Sequence, residues 1–224
     1  MERFISLIVT CLMVVALQSN AAVAIDTIEP ECRNDQIWLV SARGAACRQT
    51  GADKLPIQQY CCGRWANSDW LQINKSADGF AGQTLVYIHG YQTNLEHARV
   101  RGLEVYKNLF GRCRISEPIR FVIWAWKSEK EICRPVQDYQ LKSNRAVLLG
   151  NLFADSLNYL GPKPPVIIGY SLGVQVIVSG LTKSQCYQGA PVSIATIAAA
   201  SDCGFTSSVC ELCTSGRVKQ TVVF

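Results

Sequence analysis

The strongest chemical signal in the chain is the run Gly169-Tyr170-Ser171-Leu172-Gly173. Glycines two positions to either side of a serine let the backbone reverse sharply, and the serine is then held strained with its hydroxyl above the turn. The pattern carries meaning only between a strand and a helix. Val166-Ile167-Ile168-Gly169-Tyr170 reads as a buried strand, and Leu172 to Leu181 reads as the helix that follows. In that setting Ser171 is placed to act as a nucleophile on an acyl carbon. An ordinary glycine-bounded turn with a chance serine would not need both flanks. A second signal, His89-Gly90-Tyr91, follows the apolar run Thr84 to Ile88. Acyl transfer builds negative charge on a carbonyl oxygen, which backbone N–H groups can hold. Leu172, the residue after the nucleophile, offers one such group and Tyr91 offers the other. Gly90 lets that backbone come close. His89 precedes the serine in the chain and reads as an organiser of its loop rather than as a base.

These residues need a scaffold, and the sequence divides at about Gly82. From Ile25 to Gly82 the chain is rich in Cys, Gly, Asn and Asp. Gln36 to Ser41 and Asp69 to Ile73 read as short opening strands, antiparallel and pinned by disulfides. From residue 83 onward strand and helix alternate. Thr84 to Ile88 is a strand, Thr93 or Asn94 caps a helix with Leu95, Ala98, Gly102, Tyr106 and Leu109 on one stripe, and Phe121 to Ala125 is the next strand. A second helix runs from about Asp138 to Leu160, its stripe including Leu141, Leu148, Leu149, Leu152, Phe153 and Leu157, until Gly161 and three prolines stop it. Val192 to Ala199 is a further strand, and Gln220 to Phe224 opens a last one. Apolar strands alternating with helices predict an α/β fold with a mostly parallel sheet covered on both faces.

Three motifs in this order, His89-Gly90-Tyr91-Gln92-Thr93-Asn94, Phe121-Val122-Ile123-Trp124-Ala125-Trp126 and Ile168-Gly169-Tyr170-Ser171-Leu172-Gly173, resemble the α/β-hydrolase superfamily, in an uncharacterised bacterial branch. The resemblance covers about Thr84 to Asp202. It implies a hydrolase acting through a serine, with an acid and then a histidine following in the chain. Asp202, after the strand Val192 to Ala199, is the acid in the expected place; a solvated loop aspartate would look the same. No histidine follows His97, and the chain ends at Phe224 inside an apolar run. A serine hydroxyl without a base is a poor nucleophile at neutral pH. The expectation is therefore that residues 83–224 form a core short of its last strand and helix. The alternatives are a hydrolase-fold protein that has lost its triad for a binding or structural role, and His97 as a remote substitute base.

The N-terminus addresses the protein. Arg3 precedes an apolar stretch from Phe4 to Leu17, and Ala22-Val23-Ala24 is a small-x-small cleavage signal, so residues 1–24 read as a signal peptide and Ile25 as the mature start. An uncleaved anchor is the alternative, but so short a stretch covers only about 20 Å as a helix against a bilayer core of ~30 Å. Cys11 lies within this stretch, away from the cleavage site. Eleven cysteines less Cys11 leave ten: Cys32, Cys47, Cys61, Cys62, Cys113, Cys133, Cys186, Cys203, Cys210 and Cys213. An even, high count in an exported chain reads as disulfides. Cys210-Glu-Leu-Cys213 would otherwise be half a zinc site, with the second ligand pair missing. Neither metal nor cofactor is expected. A net charge of +5 without a basic run gives no support to nucleic-acid binding. The expected partner is a small-molecule or lipid-like ester outside the cytoplasm, secreted or in the cell envelope, with no stable membrane span after signal cleavage.

Overall fold

The computed structural model describes residues 34–45, 51–77, 80–111, 117–183, 187–197 and 205–223. The predicted signal peptide and Cys32, Cys47, Cys113, Cys186, Asp202, Cys203 and Phe224 lie outside them. Eight strands form one sheet in the order β3-β2-β1-β5-β4-β6-β7-β8. They are β1 (Gln36–Ser41), β2 (Ile57–Cys61), β3 (Arg64–Ser68), β4 (Gln83–Ile88), β5 (Ile119–Ala125), β6 (Val166–Tyr170), β7 (Val192–Ile197) and β8 (Val218–Val223). The helices are α1 (Trp70–Ala77), α2 (Leu95–Phe110), α3 (Pro135–Leu157), α4 (Gly173–Lys183) and α5 (Phe205–Thr214). The ladder from β1 through β5, β4, β6 and β7 to β8 is parallel throughout. Among the described strands β2 alone points the other way, antiparallel to both β1 and β3. The mostly parallel sheet is as the alternation predicts.

Side chains alternate between two cores. On one face Val86, Ile88, Val122, Trp124, Ile167 and Ile194 pack against α1, α3, α4 and α5 through Ile73, Phe153, Ile177 and Leu212. On the other, Leu85, Tyr87, Phe121, Ile123 and Ile168 pack against α2 through Ala98, Leu103, Tyr106 and Phe110. The central strands β4, β5 and β6 are apolar on both faces because helices cover both. Arg120 enters this sheet from β5, buried and without a carboxylate partner among the described residues. Its guanidinium donates to Gln36 Oε1 at 3.0 Å, Leu160 O at 3.1 Å and Ser76 Oγ at 3.2 Å, and burial lowers its pKa to about 10.

Several expectations need correction. Asp69 to Ile73 is the start of helix α1, not a strand: Asp69 accepts the Gln72 N–H at 2.9 Å through its side chain and the Ile73 N–H at 3.3 Å through its carbonyl. The buried residues are Trp70 and Ile73, three apart, with Leu71 exposed, a helical rather than an alternating pattern. Strand β1 is antiparallel to β2 but parallel to β5, so the N-terminal strands join the same sheet. Helix α3 begins at Pro135, where a missing N–H costs nothing in a first turn, and ends at Leu157. Leu148 lies on its solvent side at 75% exposure, and the buried stripe runs instead through Ala146, Leu149, Gly150, Phe153 and Leu157. Strand β8 starts at Val218, and a helix, α5, occupies part of the segment between β7 and β8. Of Val192 to Ala199, the strand Val192–Ile197 is described and the rest lies outside.

Candidate active site

The serine elbow forms where β6 gives way to α4. Ser171 has a φ of 51°, in the left-handed region that a residue with a Cβ adopts only at a cost. Its N–H donates to Ile197 O at 3.0 Å, anchoring the turn to the end of β7, and its carbonyl accepts from Val174 N at 3.1 Å as the helix opens. The flanking glycines are required by packing. A Cβ on Gly169 would stand 2.6 Å from Ile177 Cδ1, and one on Gly173 would stand 2.5 Å from Ile88 O. Helix α4 thus starts directly on the end of β4, and that closeness brings the β4 loop to the serine. A Cβ on Gly90 would lie 2.7 Å from Ser171 Cβ and 2.9 Å from Tyr170 O.

The loop after β4 is fixed from several sides. His89 is fully buried and stacks on Trp126, with ring centroids 5.9 Å apart. Its Nε2 accepts the Trp126 backbone N–H at 3.1 Å, so the ring proton sits on Nδ1, 3.0 Å from Gly90 O. Burial pushes its pKa down from 6.5 to about 4. Both ring nitrogens are thus engaged by the backbone. Ser128 completes the frame: its hydroxyl donates to Gly90 O at 2.7 Å, its carbonyl accepts from Gln92 N at 2.8 Å, and its Oγ accepts from Thr93 N at 3.1 Å. Gln92 has a φ of 59°, so the chain turns sharply just past Tyr91. Arg43 caps the arrangement, donating to Trp126 O at 3.1 Å and Thr93 O at 3.3 Å while pairing with Glu129 at 2.6 Å.

These bonds orient one peptide plane. Gly90 O is held by Ser128 and His89, and in a trans peptide the following N–H points the opposite way. The Tyr91 N–H is therefore presented away from Ser128 and His89. Among the described residues neither Tyr91 N nor Leu172 N donates a hydrogen bond, and the Ser171 hydroxyl has no hydrogen-bond partner. Two unpaired amides and one hydroxyl at touching loops can serve an oxyanion and its nucleophile.

Beyond Tyr91 lies a charged cluster that the motifs do not announce. Tyr91 donates its hydroxyl proton to Asp138 Oδ2 at 2.6 Å. Asp138 Oδ1 accepts from the N–H groups of Glu131 and Ile132, both at 2.9 Å, and from Lys142 Nζ at 3.3 Å. Asp138 and Lys142 are both fully buried. The Tyr91 hydrogen bond, more than any other contact, holds the Asp138 carboxyl well below the usual carboxylate range, and the same bond raises the Tyr91 phenol. Glu131 is lowered to about 2, first by Arg145 at 2.5 Å and then by Lys142 at 2.7 Å.

The structure thus brings together Ser171, Leu172, Gly173, Gly169, His89, Gly90 and Tyr91. Asp202 is outside the described residues. His97 lies exposed in the first turn of α2, where its backbone N–H donates to the Asn94 cap at 2.8 Å. Ser128 and Asp138 belong to no motif: Ser128 stands two residues past the Trp126 motif, and Asp138 reads in the sequence only as a helix start. A cavity of about 780 Å³ lined by Asp155, Asn158, Lys163, Pro165, Tyr187 and Gln188 opens beside the N-terminal end of β6, the end opposite the serine. The described cysteines are Cys61, Cys62, Cys133, Cys210 and Cys213, all exposed; no two of their sulfurs are at bonding distance, and Cys61 and Cys62 Sγ stand 3.4 Å apart. Among the described residues no group of three or more His, Cys, Asp or Glu could hold a metal, and no helix is long and apolar enough to cross a membrane. In comparison with known proteins, no family model, no curated sequence and no solved structure matches the chain.

Proposed function

We propose that the chain is an exported serine hydrolase of α/β-hydrolase type acting on an ester or acyl bond of a small or lipid-like molecule. One observation carries the reading: Ser171 sits at φ 51° on a strand-to-helix turn, with Gly90 of a second loop pressed against it. Strain of this kind persists where the surrounding structure over-determines it, and it clusters at reactive residues. Ser171 Oγ attacks the acyl carbon, and the carbonyl electrons move to oxygen, where the Leu172 and Tyr91 N–H groups receive the charge. Collapse expels the alcohol, which takes up the proton that left Ser171, and water then releases the acid and restores the hydroxyl. His89 cannot carry that proton, because its Nε2 already accepts from Trp126. Asp202 is proposed as the acid that would orient a histidine base, and no histidine follows His97 in this sequence.

The second reading is a hydrolase-fold protein without catalysis, and the unpartnered Ser171 hydroxyl among the described residues favours it. Transfer of the acyl group to an acceptor other than water would use the same residues. A fluorophosphonate probe separates the readings, since only an activated serine is phosphonylated at a useful rate. The protein secreted by its own host should be labelled on the peptide that contains Ser171, and Ser171→Ala should abolish labelling and ester turnover together. An unlabelled, folded protein that turns over no activated ester would give the non-catalytic reading the field.

A further inference from the structure

Asp138 spends a buried negative charge on two loops at once. Its Oδ1 gathers the Glu131 and Ile132 amides, which ties the 126–134 segment to α3. Its Oδ2 goes elsewhere, to the Tyr91 hydroxyl, 47 positions away in the chain. A buried carboxylate is costly unless both oxygens are satisfied, and here each has partners. Lys142, also fully buried, stands 3.3 Å from Oδ1 and 2.7 Å from Glu131, so the charge of Asp138 is balanced inside the cluster. Tyr91 is further held by the edge of the Tyr139 ring, centroid to centroid 5.8 Å, from the turn of α3 that bears Asp138.

The backbone side of Tyr91 is fixed at Gly90 by Ser128 and His89, and at Gln92 by the Ser128 carbonyl. The peptide plane sets the direction of the Tyr91 N–H, and the side chain is the remaining handle on its position: a shift of Tyr91 along the loop would carry the N–H away from the serine. We propose that Asp138 is the positioning residue of the oxyanion site, holding Tyr91 by its hydroxyl so that the Tyr91 N–H keeps its aim. The role rests on the hydrolase reading above. It couples the 126–134 segment and the N-terminal turns of α3 to the loop beside the serine.

The test uses Tyr91→Phe, which keeps the ring and removes one hydroxyl, and Asp138→Asn, which keeps the shape and removes the charge. Turnover of p-nitrophenyl acetate and inhibition by phenylboronic acid are measured on both, on wild type and on Ser171→Ala. Small misplacement of a transition-state group costs on the order of tenfold to a hundredfold in rate. Tyr91→Phe should lower kcat about tenfold with KM within about twofold, and the boronate Ki should rise by the same factor, because the tetrahedral adduct uses the oxyanion donors and the ground state does not. Asp138→Asn should do the same or more; should it fail to fold, Tyr91→Phe decides alone. A Tyr91→Phe enzyme with wild-type kcat and Ki, in a background where Ser171→Ala abolishes turnover, overturns the positioning role and leaves the hydrolase reading intact. Turnover indifferent to Ser171→Ala removes the hydrolase reading, and the positioning role with it.

Discussion

His89 sits in a motif that suggests chemistry and makes contacts that hold a loop. Its neighbours in the chain suggest chemistry, yet each ring nitrogen is spent on the backbone, Nε2 on the Trp126 amide and Nδ1 on the Gly90 carbonyl. A proton added to Nε2 would break the first bond and place a charge on a fully buried ring. Burial accordingly lowers the imidazole from 6.5 to about 4. The consequence for stability has a definite sign. As pH falls through 6.5 the unfolded chain takes up a proton that the folded chain refuses until about 4, so stability is full above 6.5 and declines across that window. The loss attributable to this one group is on the order of 3 kcal/mol by the bottom of the window. Urea unfolding at pH 7 and pH 4.5 should show a smaller difference for His89→Gln than for wild type. Equal differences would mean that the imidazole is already charged in the folded protein.

At the scale of elements, what was legible in the sequence followed how much of each element the helices cover. Strands β4, β5 and β6 are apolar on both faces and read directly. Strands β2 and β3 did not, since Gln58, Gln59, Arg64 and Asn67 give no alternation and their turn, Cys62-Gly63, takes left-handed φ values of 50° and 77° that no glycine pair announced. Asp138 was invisible as a site residue for another reason: its partner lies on a different loop, and only the fold brings the two together. The crossing of α3 and α4 was equally hidden. Gly150 and Gly180 meet backbone to backbone, and a Cβ on Gly180 would stand 2.4 Å from Gly150 O. Gly180→Ala gains helix propensity of about 1 kcal/mol, but overpacking against a rigid backbone costs roughly 1–3 kcal/mol. The melting temperature should fall by a few degrees, read by calorimetry, whereas a rise would mean that the helices can part at little cost.

On the scale of the whole molecule, the neighbours in the sheet are distant in the chain. β1 lies against β5 across the register Gln36↔Arg120, and β4 against β6 across Ile88↔Gly169. Arg120 spans the same distances with side-chain bonds, reaching β1, α1 and the turn after α3. Local contacts alone therefore complete little of this fold, and such topologies condense slowly because long loops must close before pairing is rewarded. The contact between Gly90 and Ser171 turns this into a property of the chemistry. Each residue sits just past the end of a central strand, roughly eighty positions from the other, and they meet only once β4 and β6 are in register. The reactivity proposed for Ser171 would then report on long-range order. During refolding from denaturant, far-ultraviolet circular dichroism should recover first and fluorophosphonate labelling of Ser171 only later. Labelling that keeps pace with the earliest helical signal would mean that the elbow forms from its own local sequence. Under the proposed export and hydrolase function, the chain would cross a membrane as an inert thread and gain its reactivity only on the far side.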